Sequence, residues 1–242
     1  MPDSKPEASA QLPGTGISIV LVHGAFVDGA GWRAVYGLLS RCGYEVLVVQ
    51  NPTITLVGDV EATERVIAAA THSVILVGHS YGGVVVTQAG DHPKVRAVAY
   101  IAAFAPDRGE SAASLNEVPA EPGESKAPLL PPQNGYLMVD PSQFPSAFAA
   151  DVDSDITRFM AAAQVPWGLS AVMAPVTRAA WRSKPAHYMV LSSDLMVPPS
   201  AQRRMAKRAG ARIVEIDSSH AAMLSHPHEV AAFIEAAAGN AD

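Results

Sequence analysis

Ser73-Val-Ile-Leu-Val77, followed at once by Gly78-His-Ser-Tyr-Gly82 and then by Gly83-Val-Val-Val-Thr-Gln88, decides how this chain is read. The first five residues are apolar and β-prone and predict a strand; the run after Gly82 predicts a helix over Tyr81 to Gly90. Between them stands G-x-S-x-G. A strand that turns directly into a helix there needs a turn so tight that side chains two positions either side of the serine would collide, and Gly78 and Gly82 remove them. Such a turn holds Ser80 in a strained backbone conformation with its hydroxyl exposed. The amide of Tyr81 then points from the helix N-terminus at the space where an oxyanion would form. Ser80 is therefore the expected nucleophile and Tyr81 an expected oxyanion donor.

On both sides of this stretch, strand-like and helix-like segments alternate. Ile17 to Val22, Tyr44 to Val49, Val95 to Ala103, His187 to Leu191 and Ala211 to Ile216 join Ser73 to Val77 as strands. Helical patterns lie around Trp32 to Leu39, over Asp59 to Ala70, near Ser200 to Ala209, and through Val230, Phe233 and Ile234; Gly43 ends the first. Near-continuous apolar strands separated by helices predict an α/β fold: an open, mostly parallel sheet of about six strands with helices on both faces. Chemistry in such sheets sits at the carboxyl ends of the strands.

One stretch breaks the rhythm. Between Phe104 and about Ala180 no strong strand is visible, and prolines recur at 106, 119, 122, 128, 131, 132, 141, 145, 166 and 175. A structureless loop of that length does not suit a compact domain. Short helices are expected instead, for instance Pro145 to Ala150 and Asp155 to Gln164, forming an insertion at about 104–180 that caps the sheet's active edge. The expected organisation is thus a flexible tail over 1–16, polar and rich in Pro, Ser and Gly, then one domain over 17–242.

A serine nucleophile needs a base and an acid. His220 lies four residues after Ile216, in Asp217-Ser-Ser-His220, where the last strand ends. His226 and His228 fall around Pro227 in the final helix and are two apart, so they face different ways. Asp194 directly follows Tyr188-Met-Val-Leu-Ser-Ser193, at the carboxyl end of a strand. Chain order is then Ser80, Asp194, His220: nucleophile, acid, base. Asp107, after the fourth strand, is the rival acid; Asp217 is uncomfortably close to His220 along the chain. A second oxyanion amide is expected from His23-Gly-Ala25, at the end of the first strand, with Ala25 preferred and Phe26 second. His23 and His79 read as structural histidines, the side chain of His79 pointing away from the nucleophile.

The composition agrees with an enzyme of small molecules. The formal net charge of −6 and the lack of a Lys/Arg run argue against a nucleic-acid partner; Arg203, Arg204, Lys207 and Arg208 read as a solvated helix face. No apolar run approaches the ~18 residues of a membrane span, and the first residues lack the apolar core of a signal peptide. Cys42 is the only cysteine, so no intrachain disulfide forms and a cytoplasmic location is expected. No zinc-like spacing occurs, and neither metal nor organic cofactor is called for.

Val22-His-Gly-Ala25, Gly78-His-Ser-Tyr-Gly-Gly83, Ser193-Asp194 and Ser219-His220 together resemble the α/β-hydrolase superfamily, and most its small branch of plant and bacterial esterases and hydroxynitrile lyases. The resemblance covers about residues 17 to 238. It implies a helical cap over a small apolar pocket, to which Phe104, Tyr136, Leu137, Met138, Phe144, Phe148, Phe159, Met160 and Trp167 correspond, and a serine hydrolase acting on a small-molecule ester. The lyases of that branch carry Thr after the first motif histidine and Lys after the catalytic histidine; here Gly24 and Ala221 stand there. A lyase, or a non-catalytic receptor that keeps the fold and its triad, are the alternatives.

Overall fold

A computed structural model describes Leu12 and residues 14–239. The sheet contains β1 (Ile17–Val22), β2 (Glu45–Val49), β3 (Ser73–His79), β4 (Val95–Ile101), β7 (Ala186–Leu191) and β8 (Arg212–Ile216), in the spatial order β2-β1-β3-β4-β7-β8. Every adjacent pair is parallel, so the expected sheet of about six strands is the one observed. The central strands are buried almost end to end, which is why they read as unbroken apolar runs. At the edge, β8 is mostly exposed and carries Arg212 and Glu215, charges of the kind that protect the outer edge of a sheet.

Helices α1 (Arg33–Arg41), α2 (Leu56–Ala69), α3 (Gly82–Ala89), α8 (Pro199–Arg208) and α10 (Pro227–Gly239) flank the sheet, α1 against α10 and α2 against α3. Gly43, at φ +89°, ends α1 as expected. Helix α3 runs so close to the end of β4 that a Cβ on Gly83 would lie 2.2 Å from the Phe104 carbonyl oxygen. Of the segment read as a tail, Gly14 is buried and its amide donates to the Cys42 carbonyl at 2.8 Å, and Leu12 covers Gly43. Residues 1–11 and 13 lie outside the described residues.

Between β4 and β7 the chain forms α4 (Ala112–Asn116), β5 (Tyr136–Leu137), α5 (Phe144–Phe148), α6 (Ser154–Ala162), β6 (Trp167–Gly168) and α7 (Leu169–Met173). The short helices near 145–150 and 155–164 are present as α5 and α6. The antiparallel pair of β5 and β6 is an addition the sequence did not announce, because two-residue strands have no periodicity to read. Among the contacts that hold this insertion on the rest of the fold, the Gly168 amide donates to the Thr53 carbonyl at 2.8 Å, the Ser200 amide to Glu124 Oε1 at 2.8 Å, and the Ser219 amide to Asp151 Oδ2 at 3.0 Å. Helix α9 (Ala222–Ser225) lies just before α10. No helix among the described residues is long and apolar enough to cross a membrane.

Candidate active site

The turn after β3 has the geometry its glycines require. Ser80 sits at φ +54°, a left-handed conformation that costs a non-glycine residue about 1–3 kcal/mol and persists only where the surroundings enforce it. They do so from several sides: the Ser80 amide donates to the Ile101 carbonyl at 3.2 Å, and its carbonyl accepts from the amides of Gly83 at 3.0 Å and Phe104 at 3.1 Å. A Cβ on Gly78 would lie 2.7 Å from the Gly82 oxygen, and one on Gly82 2.7 Å from the carbonyl oxygens of Val22 and His23. Because these obstacles are backbone, Gly78→Ala is expected to destabilise the fold by about 2–3 kcal/mol, the upper part of the overpacking range; urea unfolding measures it, and an unchanged midpoint would contradict the packing described.

Asp194 and His220 meet in the buried space at the ends of β7 and β8. His220 Nδ1 lies 2.7 Å from Asp194 Oδ2, and both side chains are essentially inaccessible. The remaining lone pairs of the carboxylate are also engaged. Its Oδ1 accepts the amides of Met196 at 2.7 Å and Val197 at 3.1 Å, and Oδ2 accepts Gln202 Nε2 at 2.8 Å. Four fixed donors thus hold one carboxylate in one orientation. Nε2 of His220 is buried and makes no hydrogen bond among the described residues. The structure therefore joins His220 to Asp194 directly, while Ser80 stands on the turn that follows β3.

The rival acid is elsewhere. Asp107 makes a two-pronged ion pair with Arg182, half exposed, and the guanidinium's hydrogen bonds hold the Asp107 carboxyl down to about 2. Asp217 accepts the hydroxyl of Ser193 at 2.5 Å rather than facing His220. His226 lies 3.6 Å from Asp151 near the surface, and His228 begins α10.

His79 departs from expectation. Its ring does not point away: it lies 4.5 Å from the His220 ring, centroid to centroid, and its Nε2 bonds the His220 carbonyl at 2.9 Å. Burial, reinforced by the neighbouring His220, pushes its pKa well below the ordinary histidine value. It is therefore neutral, with Nε2–H as donor. The reason is topological: the loop carrying His220 passes over the end of β3, the side on which His79 emerges. Burial likewise lowers the pKa of His23, whose Nδ1 lies 2.8 Å from the Gly24 carbonyl.

The turn that carries Ala25 meets the one that carries Ser80 and Tyr81. A Cβ on Gly24 would lie 2.7 Å from Ser80 Cβ, so the His23–Phe26 turn runs directly against the serine. Tyr81 is the residue capping the N-terminus of α3. Among the described residues neither the Ala25 nor the Tyr81 amide donates to a protein acceptor. Phe26, the second choice, sits at φ +68° and its carbonyl accepts from Val165 of the insertion.

The insertion brings aromatic rings against His220, His79 and Tyr81. Phe148 stands edge-on to His220 at 4.8 Å and to His79 at 6.3 Å, with Phe144 stacked behind it at 4.7 Å. Trp167 packs between Tyr81 at 5.1 Å and Phe26 at 5.7 Å. Phe159, by contrast, is 70% exposed. It sits at the rim of an apolar cavity of about 210 Å³ with Phe26, Val27, Ile156, Met160 and Leu224. A separate narrow gap of about 20 Å³, lined by His79 and Phe148, shares Met160 and Leu224 with it. No group of three or more His, Cys, Asp or Glu suited to a metal ion occurs among the described residues.

Sequence comparison decides the lineage: the model of the alpha/beta hydrolase family matches residues 19–233. The chain belongs to the alpha/beta hydrolase family. The resemblance read from the motifs is thereby borne out. An alpha/beta hydrolase of Aspergillus novofumigatus, nvfD, is 28% identical, with 93% of this chain and 97% of that protein covered. A carbendazim-hydrolysing esterase of a Nocardioides species is 29% identical, with 88% and 96% covered. Among solved structures, a pyrethroid hydrolase from Sphingobium faniae superposes with a TM-score of 0.77 at 25% identity, covering 93% of this chain and 98% of that one. This alpha/beta hydrolase thus keeps the family's fold over nearly its whole described length.

Proposed function

We propose that this alpha/beta hydrolase is a serine esterase that cleaves small to medium apolar carboxylic esters through an acyl-enzyme. The observation that carries the reading is the fully buried His220–Asp194 pair, with its carboxylate held by four donors, next to a serine at φ +54°. In this reading Ser80 Oγ attacks the ester carbonyl while His220 Nε2 takes its proton. Asp194 fixes the imidazole tautomer and stabilises the imidazolium that forms. The amides of Ala25 and Tyr81 hold the oxyanion. His220 then protonates the departing alcohol, and water repeats the sequence to release the acid. The insertion acts as a cap whose apolar rings exclude water and favour an uncharged substrate. The names of the relatives, an esterase and a pyrethroid hydrolase, support an ester or a similar acyl group as the substrate.

Cyanohydrin cleavage fits less well. The residue after the base is Ala221, fully buried and without charge, so nothing there receives a departing cyanide. A threonine in place of Gly24 would crowd Ser80, since even a Cβ there approaches Ser80 Cβ to 2.7 Å. A panel of chromogenic aryl esters of rising acyl length, run beside mandelonitrile, tests the reading. Multiple turnovers on the short esters and negligible cyanide release are expected. Steady, Ser80-dependent cyanide production would replace the esterase with a lyase; a single labelling event without steady state on any ester would replace it with a receptor.

A further inference from the structure

Beneath the oxyanion side of the site lies a carboxylate that the mechanism above does not use. Asp59, in the first turn of α2, is fully buried. Its Oδ2 accepts the phenol of Tyr81 at 2.6 Å and its Oδ1 accepts the amide of Thr53 at 2.7 Å. Thr53 is itself held at φ +59°, and its hydroxyl lies 2.9 Å from the Pro166 carbonyl while its own carbonyl accepts the Gly168 amide. Those two residues flank Trp167, whose ring is wedged between Tyr81 and Phe26. One buried carboxylate therefore ties the residue after the serine to the segment of the insertion that packs on both oxyanion turns.

Burying an acid in such a place is costly, and burial does push the Asp59 carboxyl up from its usual range, against the pull of its two hydrogen bonds. A phenylalanine at 81 and an apolar residue at 59 would fill the same space without that cost. What the pair supplies and packing alone does not is direction. The phenol bond fixes the Tyr81 side chain at its far end, and so the rotation of the peptide whose N–H stands at the start of α3. Oxyanion stabilisation is sensitive to this, because a donor must meet the position the oxygen takes in the transition state.

We infer that Asp59 is a positioning residue: through Tyr81 and Thr53 it aligns the Tyr81 amide for the oxyanion and couples that alignment to the seating of the insertion at Pro166–Gly168. The inference rests on the serine-esterase reading and is tested with the full chain on p-nitrophenyl acetate, with a phenylboronic acid as tetrahedral mimic. Tyr81→Phe keeps the ring against Trp167 and removes only the bond. It is expected to lower kcat about tenfold, less than the ~10²–10³ that follows outright loss of an oxyanion donor, with KM within about twofold of wild type. Boronate affinity should fall in step with kcat. Asp59→Asn leaves one acceptor for two donors and should lower kcat at least as much, and the double variant should lose less than the two single losses combined, since both changes act on the phenol–carboxylate pair.

An unchanged kcat in Tyr81→Phe overturns the inference, as does a kcat loss without a matching loss of boronate affinity, which is what general loosening of the fold would produce. Additive losses in the double variant overturn it too. If Asp59→Asn does not fold, Tyr81→Phe alone decides. A wild-type protein that neither turns over the ester nor takes a fluorophosphonate at Ser80 removes the esterase reading, and this inference with it; a fully active wild type with unaffected variants removes this inference only.

Discussion

Ser80→Ala is expected to lose on the order of 10⁶ in kcat, because the covalent step disappears and only binding and oxyanion stabilisation are left to act on a water molecule. The same change should abolish reaction with a fluorophosphonate. Intact mass should show one adduct on the wild-type chain and none on the variant. The argument is local: the turn after β3 holds Ser80 at φ +54°, with Gly24 drawn against its Cβ. An adduct on any other serine, or wild-type turnover surviving in the variant, would remove Ser80 from the mechanism.

Asp194→Asn is expected to cost about 10⁴ in kcat with the fold retained. The hydrogen-bond inventory explains why so small a change should matter. Each oxygen of Asp194 meets two positions that donate: His220 Nδ1 and Gln202 Nε2 at one, the Met196 and Val197 amides at the other. An asparagine brings an NH₂ that must face one of these pairs. Facing the amides, it opposes two backbone donors. Facing His220, it drives the imidazole to the tautomer with its proton on Nε2, where it cannot accept the serine proton. Asp107→Asn is the control, since Asp107 is committed to Arg182 near the surface. If Asp107→Asn carries the loss and Asp194→Asn does not, the acid has been assigned wrongly.

The fold was legible because its central strands are buried on both faces and so spell themselves as apolar runs; Ser73–Val77 and Val95–Ile101 could hardly be read otherwise. Gly78, Gly82 and Gly43 were legible for a different reason: each stands where backbone leaves no alternative. What was not legible depends on long-range meetings. Asp59 looks like any acidic residue in a first helical turn, and only the fold brings Tyr81 to it from 22 positions away. Gln202 sits in a helix read as amphipathic, and nothing in its neighbours says that it turns toward Asp194. Asp151, the anchor for Ser218 and Ser219, belongs to a stretch whose helices are too short to show a period. His79 was misjudged for the same reason: strand alternation says which face a side chain takes, but not which loop will cross that face.

The insertion leaves β4 and the chain returns into β7, and those two strands are hydrogen-bonded neighbours, with Ile101 opposite Met189. The pair is parallel, so the insertion leaves the carboxyl end of β4 and the chain re-enters at the start of β7, where Ala186 lies opposite Val98, roughly 10 Å back along the sheet. Closing a loop between two points that the sheet already fixes costs entropy that grows only with the logarithm of its length, about 0.6 kcal/mol for each doubling. The insertion is thus a parenthesis in the chain: its length can change at little entropic cost, while Ser80, Asp194 and His220 hang from strands or loops outside it. One scaffold can in this way offer differently shaped rooms over the same floor.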